Sequence, residues 1–275
     1  MSCCRSPEPF SNLMRETSLN IEFEQPADAQ SPKSPIGDDA FRATMLSVLM
    51  PIYNERPTLA EIIRRVFQAP IPLSMELVAV DDRSTDGSWE LLQELAGLEP
   101  RIKPLRLPRN RGKGAALREA LSHARGEIAV IQDADLEYDP TNYGKLLVPI
   151  LDGEADAVFG SRFTGAANGA MSRWNRWGNR FLTRVTNRLA GLELTDMETG
   201  AKMVRTDVLR RLDLRSNTFT IEPELTCRLA QAAARIDEIP IAYTGRRYNA
   251  GKKIRPRDFI KAVATLLRCG IFDRR

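Results

Sequence analysis

A chain of 275 residues that is 43% hydrophobic and 28% charged can bury a full core, in one large domain or two fused halves, without staples. Its four cysteines (Cys3, Cys4, Cys227, Cys269) suit neither a disulfide framework nor a zinc site, which favours a reducing compartment, and its best C-terminal apolar run is cut by Arg268 and too short to span a bilayer. The net charge of +4 hides an acidic N-terminal tail and a basic end over 245–275, which points to an anionic partner: nucleic acid, a phosphorylated substrate or a membrane surface on charge alone.

Residues 1–43 lack the apolar core of a signal peptide and are rich in Ser, Pro, Asp and Glu, so they are expected to be a disordered tail. The first strand is predicted over 45–50, ending at Pro51, with a turn at Tyr53-Asn54-Glu55. Thr58 and Glu61 have capping-box spacing after Pro57, predicting a helix over 58–68 with Leu59, Ile62, Ile63 and Val66 inward. A second strand, 76–80, closes on Asp81-Asp82. The rhythm continues with a helix after Asp86-Gly87-Ser88, a strand at 102–107, a helix at 114–124 and a strand at 128–131. Such alternation implies an α/β fold with a mainly parallel, Rossmann-like sheet flanked by helices. Ligands then collect beyond the carboxyl ends of the strands, where loops and helix N-termini converge.

Past Pro149 the pattern loosens into short strands near 157–159 and 201–204, a long helix between them and a strand near 236–242. The expected layout is a catalytic domain over 44–245, with halves 44–150 and 151–245, and a basic segment over 246–275. That segment carries an amphipathic helix after Pro256, with Phe259, Ile260, Val263, Leu266 and Leu267 on one side.

The sharpest feature is Gln132-Asp133-Ala134-Asp135-Leu136-Glu137, directly after a buried strand. Residues two apart on an extended chain face the same side, so Asp133 and Asp135 can present their carboxylates together. Two such groups repel unless a cation lies between them. Hard oxygen ligands suit Mg²⁺ or Mn²⁺, and an ion that also touches a diphosphate would neutralise charge on a departing nucleoside diphosphate. An isolated Asp-x-Asp is commonly only a solvated turn; its place at a strand end, beside Pro51-Ile52-Tyr53-Asn54-Glu55 and Asp81-Asp82-Arg83-Ser84-Thr85-Asp86, argues for function.

Together these three loops resemble the nucleotide-sugar pocket of family 2 glycosyltransferases of the GT-A fold, and more narrowly the dolichyl-phosphate mannose synthase and polyprenyl-phosphate glycosyltransferase branch. The likeness covers roughly 44–253. It implies that Pro51, Tyr53, Glu55 and Asp82 hold the nucleoside and that Asp133, Asp135 and Glu137 ring the metal and diphosphate; the family usually has glutamine where Glu137 stands. Gly112-Lys113-Gly114-Ala115-Ala116 also matches and is not a Walker loop, so Lys113 either helps hold the nucleotide or caps its helix. In the acceptor half, Gly160-Ser161-Arg162-Phe163, Thr195-Asp196-Met197-Glu198-Thr199-Gly200 and Phe219-Thr220-Ile221-Glu222-Pro223-Glu224 match as well. Arg162 would bind an acceptor phosphate, and Arg247 with Lys253 would close over the diphosphates. Glu222 and Glu224 have either a structural or a catalytic role.

One pattern owes nothing to the resemblance. Arg173, Arg176, Arg180, Arg184 and Arg188 form a stripe at helical spacing, and Trp174, Trp177, Phe181, Val185 and Leu189 form its neighbour. A basic face beside an aromatic one suits a helix lying on anionic lipid, against the plainer alternative of a core-packed helix with its arginines in water. His123, the only histidine, lacks an obvious partner to orient it as a base. The basic patches carry no nucleic-acid recognition motif, so no nucleic-acid partner is expected.

The expected activity is inverting transfer of a sugar from a GDP- or UDP-sugar to a polyprenyl phosphate, at the cytoplasmic face of a membrane or on a membrane subunit, with Arg162 and Arg176 placing the nucleophile. The alternatives are a hydroxyl acceptor with Glu222 or Glu224 as base, a sugar-1-phosphate nucleotidyltransferase, whose Gly-rich loop is missing after the first strand, and a non-catalytic membrane-surface scaffold.

Overall fold

The computed structural model describes residues 43–164, 173–245 and 256–269. The chain begins with strand β1 (Met45–Ile52), helix α1 (Arg56–Phe67), strand β2 (Ser74–Asp81), helix α2 (Ser88–Leu98) and strand β3 (Ile102–Arg106). Helix α3 (Lys113–His123), strand β4 (Ile128–Ile131), a 3₁₀ turn (Pro140–Asn142), helix α4 (Tyr143–Leu151) and strand β5 (Ala157–Ser161) follow. Helix α5 (Arg173–Ala190), strand β6 (Lys202–Arg205), helices α6 (Thr206–Arg211) and α7 (Ile221–Gln231), strand β7 (Ile236–Pro240) and helix α8 (Pro256–Leu267) complete the described elements.

The seven described strands join one sheet in the order β3-β2-β1-β4-β6-β5-β7. The first four are parallel, as the alternation predicts, and β1 and β2 are apolar almost throughout because helices cover both faces. Strand β6 runs antiparallel to both β4 and β5. The chain's two halves are therefore welded through β6 rather than facing each other as separate lobes.

One core cluster packs α1, α2 and α4 on one face of the sheet, and a second packs α3, α5, α7 and α8 on the other. Pro51 continues β1 without penalty. Leu49 O accepts from Gln132 N and Ile52 O from Asp82 N, so Pro51 faces the side where β4 has already ended and its missing N–H is not needed.

Three local expectations change. Helix α1 starts at Arg56 with Glu55 as its N-cap residue, not at Thr58. Instead of forming a capping box, the Thr58 hydroxyl donates to Ala134 O at 2.7 Å, and Glu61 pairs with Arg64 and Arg65. Helices α4 and α7 carry Pro149 and Pro223 inside segments not read as helical; Pro223 lies in the first turn, where no intrahelical N–H is required. In α8, Leu266 and Ala262 are buried, whereas Ile260 is 67% exposed and Leu267 40% exposed, so the predicted single apolar side is split.

Candidate active site

The loops after β1, β2 and β4 form one hydrogen-bonded unit at the carboxyl ends of the strands. Asn54 N donates to Ser84 Oγ, Asn54 Oδ1 accepts from Thr85 N, Glu55 N donates to Ser88 Oγ and Arg56 N donates to Asp86. Asn54, Arg83 and Leu136 take positive φ angles of 57°, 64° and 63°, one in each loop, and the cross-loop bonds hold them there. Thr58 ties the third loop to α1. Pro51, Tyr53 and Glu55 thus lie on the same rim of strand-end loops as Asp133 and Asp135.

Asp82 is buried, and its two carboxylate oxygens accept from the N–H groups of Arg111 and Gly112, each at 2.7 Å. It sets the loop that delivers Lys113; each oxygen retains a second lone pair. Gly114 N, in the first turn of α3, donates to Asn217 O at 2.8 Å, and a Cβ on Gly114 would meet Ser216 O at 2.2 Å, so only glycine lets the 216–217 loop approach.

Lys113 does not cap its helix. Its Nζ lies 2.8 Å from Asp133 Oδ1, 3.0 Å from Asp133 Oδ2 and 2.9 Å from Glu222 Oε1. Lys202, fully buried on β6, donates to the other oxygen of Glu222 and to Thr199 O at 2.6 Å. The result is an alternating row of charge, Asp133, Lys113, Glu222, Lys202. Burial disfavours the Lys113 charge, but Asp133 and Glu222 outweigh it and hold its pKa well above the usual range. Burial likewise opposes the Glu222 charge, and the two lysines win, holding that carboxyl at about 2. Glu198 has the opposite fate: burial, with Glu222 nearby, pushes it up to about 7 despite Lys202, and its buried Oε1 has no hydrogen-bond partner among the described residues.

The predicted metal set is brought only partly together. Among the described residues no group of three His, Cys, Asp or Glu side chains is gathered around one point. Asp133 holds Lys113, Asp135 Oδ1 accepts from Glu137 N at 3.2 Å, and Glu137 Oε2 accepts from Tyr243 OH at 2.9 Å. The donor chemistry still fits a hard divalent ion: two part-exposed carboxylates on one strand-end loop, to which diphosphate and water oxygens can add. A Cβ on Gly200 would lie 2.6 Å from Asp133 Oδ2, so this glycine keeps the second oxygen reachable.

Arg162 is 10% exposed and locked on Asp196 by two bonds, Nε to Oδ2 at 2.6 Å and Nη2 to Oδ1 at 2.8 Å. Asn179 Nδ2 on α5 donates to the same Asp196 at 2.8 Å, and Thr183 supports Asn179 at 3.0 Å. Helix α5 therefore touches the Arg162 site directly. Arg176, Arg180, Arg184 and Arg188 all point outward. Arg176, expected to help Arg162 place the nucleophile, is among these exposed arginines. Trp177 (54% exposed) stacks on Phe181 (39% exposed) at 5.8 Å, and Phe181 meets Phe259 of α8 at 5.7 Å. The buried seam of α5 is instead Asn179, Leu182, Thr183 and Thr186. Val185 and Leu189 are half-buried. Arg247 and Lys253 lie outside the described residues, as do the side chains of Arg173 and Trp174.

Glu224 is structural: it is fully buried and accepts from Arg215 N and from Ser216 N, the latter at 2.6 Å. His123 has local partners after all, Ser122 Oγ and Glu119 O at 3.1 Å each, but it ends the helix that Lys113 begins, about 15 Å away at 1.5 Å per residue. Sequence reasoning matched Asp196 and Glu198 only as members of a motif, without a role, and passed over Asn179 and Lys202; a lysine inside a buried four-residue strand was the one available signal for Lys202.

Solved structures of glucosyl-3-phosphoglycerate synthase from Mycobacterium tuberculosis share this fold. One, with Mn²⁺, UDP and glucosyl-3-phosphoglycerate, superposes with a TM-score of 0.64 at 23% identity, covering 83% of this chain and 81% of that one. The sheet and its flanking helices are the GT-A fold. Among curated relatives, glycosyltransferase AglJ of Haloferax volcanii is 30% identical over 200 residues, 72% of this chain and 63% of its own length. Dolichol-phosphate mannosyltransferase of Pyrococcus furiosus is 28% identical over 229 residues, 81% of this chain and 63% of its own. An undecaprenyl-phosphate 4-deoxy-4-formamido-L-arabinose transferase of Pseudomonas aeruginosa is 29% identical over 211 residues, 76% of this chain and 60% of its own. This chain thus spans about three fifths of the length of the curated relatives it matches. The model of glycosyl transferase family 2 matches residues 47–213, across the three strand-end loops and the Asp196 segment, and the chain belongs to that family.

Proposed function

We propose that this chain moves a sugar from a nucleotide-sugar donor to a polyprenyl phosphate at a membrane surface, with inversion at the anomeric carbon. The observation that carries the choice of acceptor is that neither glutamate first considered as a base is available. Glu224 is spent on backbone N–H groups, and Glu222, held at about 2 between two lysines, is a poor proton acceptor. A phosphate monoester needs no base, because its second pKa is about 6 and it is already largely anionic near neutral pH. The names of the relatives, two of which specify a lipid-phosphate acceptor, support the same choice.

In this scheme Pro51, Tyr53, Glu55 and Asp82 form the nucleoside end of the pocket, and Lys113 meets the diphosphate. Asp133 and Asp135, with Glu137 beside them, would hold Mg²⁺ or Mn²⁺; when bound, the ion neutralises charge on the leaving diphosphate. Arg162, oriented by Asp196, offers its remaining donors to the acceptor phosphate, assisted by Arg176 from α5; Arg247 and Lys253 are proposed to close over the diphosphates. A phosphate oxygen forms the new bond to the anomeric carbon, and the nucleoside diphosphate leaves with the electron pair of the old one. No described helix is long and apolar enough to cross a membrane. Contact with the cytoplasmic face is instead assigned to the arginine and tryptophan face of α5, directly or beside a membrane subunit.

A hydroxyl acceptor is the second possibility, and Glu198 is what favours it, since a carboxyl raised to about 7 suits a general base. The test is transfer of radiolabelled sugar from UDP- and GDP-sugars, with and without Mn²⁺, to polyprenyl phosphate or to simple glycosides. Metal-dependent labelling of the lipid phosphate, lost in Asp133→Asn/Asp135→Asn and retained in Glu198→Gln, is expected. Unchanged turnover in the double variant, or labelling of hydroxyl acceptors alone, overturns the assignment.

A further inference from the structure

In the row of charge from Asp133 to Lys202, the scheme uses Asp133 and Lys113 but gives no part to Glu222 or Lys202. We propose that Lys113 is a resident counter-ion of Asp133, and that Glu222 is the positioning residue that keeps Lys113 at hand and retains it when a diphosphate and its divalent ion claim the carboxylate. This rests on the donor-site reading above and adds an order of loading to it.

The geometry supports each step. The Lys113 ammonium straddles both Asp133 oxygens, at 2.8 and 3.0 Å, which is where a divalent ion would bind. A bare ion meets a like charge there and is repelled. An ion that arrives on a diphosphate brings negative charge with it, and Lys113 can turn to that charge. Glu222 Oε1, 2.9 Å from the same nitrogen, means that the lysine gives up one partner without becoming an uncompensated buried charge. Glu222 is held for this purpose from its other side by Lys202, itself anchored on Thr199 O and lying 5.0 Å from the Phe159 ring centroid. The missing side chain at Gly200 leaves room beside Asp133 Oδ2, so the incoming ion can reach that oxygen once Lys113 turns away. Metal capture thereby becomes conditional on nucleotide, which protects the site from idle ions.

Electron paramagnetic resonance of Mn²⁺, which counts the free aquo ion, tests this on the full chain without any turnover. Wild type should bind Mn²⁺ weakly alone and strongly with UDP or GDP. Lys113→Met should bind Mn²⁺ alone at least about tenfold more tightly, and nucleotide should then add less. Glu222→Gln keeps the lysine but removes its second carboxylate, so Mn²⁺ binding alone should be unchanged while the nucleotide-dependent affinity falls about tenfold, with partial rescue by Glu222→Asp. Thermal melts identify folded samples, and Glu222→Gln serves if Lys113→Met does not fold. The proposal is overturned if Lys113→Met binds bare Mn²⁺ no better than wild type, or if Glu222→Gln loses melting temperature but keeps wild-type metal affinity. If wild type binds Mn²⁺ with neither nucleotide, the donor-site reading falls together with it.

Discussion

Replacing Arg184 and Arg188 together by glutamine tests whether α5 lies on a membrane. Both side chains are exposed on the outer face of the helix, away from the Asn179, Leu182, Thr183 and Thr186 seam, so the fold should tolerate the change. Near an anionic bilayer each arginine contributes about 1 kcal/mol, so the pair is worth about 2 kcal/mol, or about 30-fold in partition coefficient. Trp177→Ser probes the other half of the same face. With 54% of the residue exposed, an indole of roughly 250 Å² leaves about 130 Å² for lipid, worth about 3 kcal/mol at full insertion. Co-sedimentation with vesicles separates the two contributions. The arginine variant should lose binding to phosphatidylserine vesicles and change little on pure phosphatidylcholine, and its deficit should shrink as salt rises, because ~0.1 M salt screens charges beyond about 10 Å. The tryptophan variant should lose binding to both lipids with little dependence on salt. If both variants sediment as wild type does on anionic vesicles, α5 is not the contact surface.

Gly200→Ala should place a methyl group 2.6 Å from Asp133 Oδ2 and 2.9 Å from the Tyr138 ring, costing about 1–3 kcal/mol in urea unfolding and abolishing stabilisation by Mn²⁺ with nucleotide. Glu224→Gln should lose about 1–3 kcal/mol, because it puts an NH2 where Oε1 accepts from Arg215 N and faces Arg268, and removes the charge that strengthens the bonds from Arg215 N and Ser216 N to Oε2. Glu198, raised from 4.5 to about 7, binds more proton folded than unfolded, so its contribution to stability falls as pH rises across that window. Glu198→Gln should therefore match wild type near pH 5 and exceed it at pH 8, by on the order of 3 kcal/mol at most; equal urea midpoints at pH 8 would refute this. Glu222 has the opposite sign: its contribution is complete above 4.5 and is lost as pH falls toward 2.

The strand-end site was legible because its demands fall on consecutive residues. Strand, turn and carboxylates are adjacent in Ile131 to Glu137, and the same holds for Pro51 to Glu55. Lys113 and Glu222 were each found by motif, but their pairing could not be, since 109 positions separate two side chains that only the folded sheet brings to 2.9 Å. Of the stripes read on α5, Arg176, Arg180, Arg184 and Arg188 are exposed beside exposed Trp177 and Phe181. The buried side of this helix was not legible, because Asn179, Thr183 and Thr186 look like a surface face to any hydropathy pattern, yet they are buried with their polar atoms bonded to Asp196, Met197 N and Leu182 O. Nor does a four-residue strand such as Lys202–Arg205 announce its direction. Pro149 marked where the pattern loosened, yet it lies inside the last turn of α4, and Pro223 sits in the first turn of α7, where no intrahelical N–H is required.

The reversed strand β6 has a consequence for engineering. Because Lys202–Arg205 hydrogen-bonds on one side to β4 and on the other to β5, a chimera that grafts the acceptor half of one relative onto the donor half of another must carry a strand whose register matches a foreign neighbour. Such hybrids should fold only when β4 and β6 are transplanted as a pair, and a fragment cut at residue 150 should expose the bare edge of β4 and aggregate rather than persist as a free nucleotide-binding module.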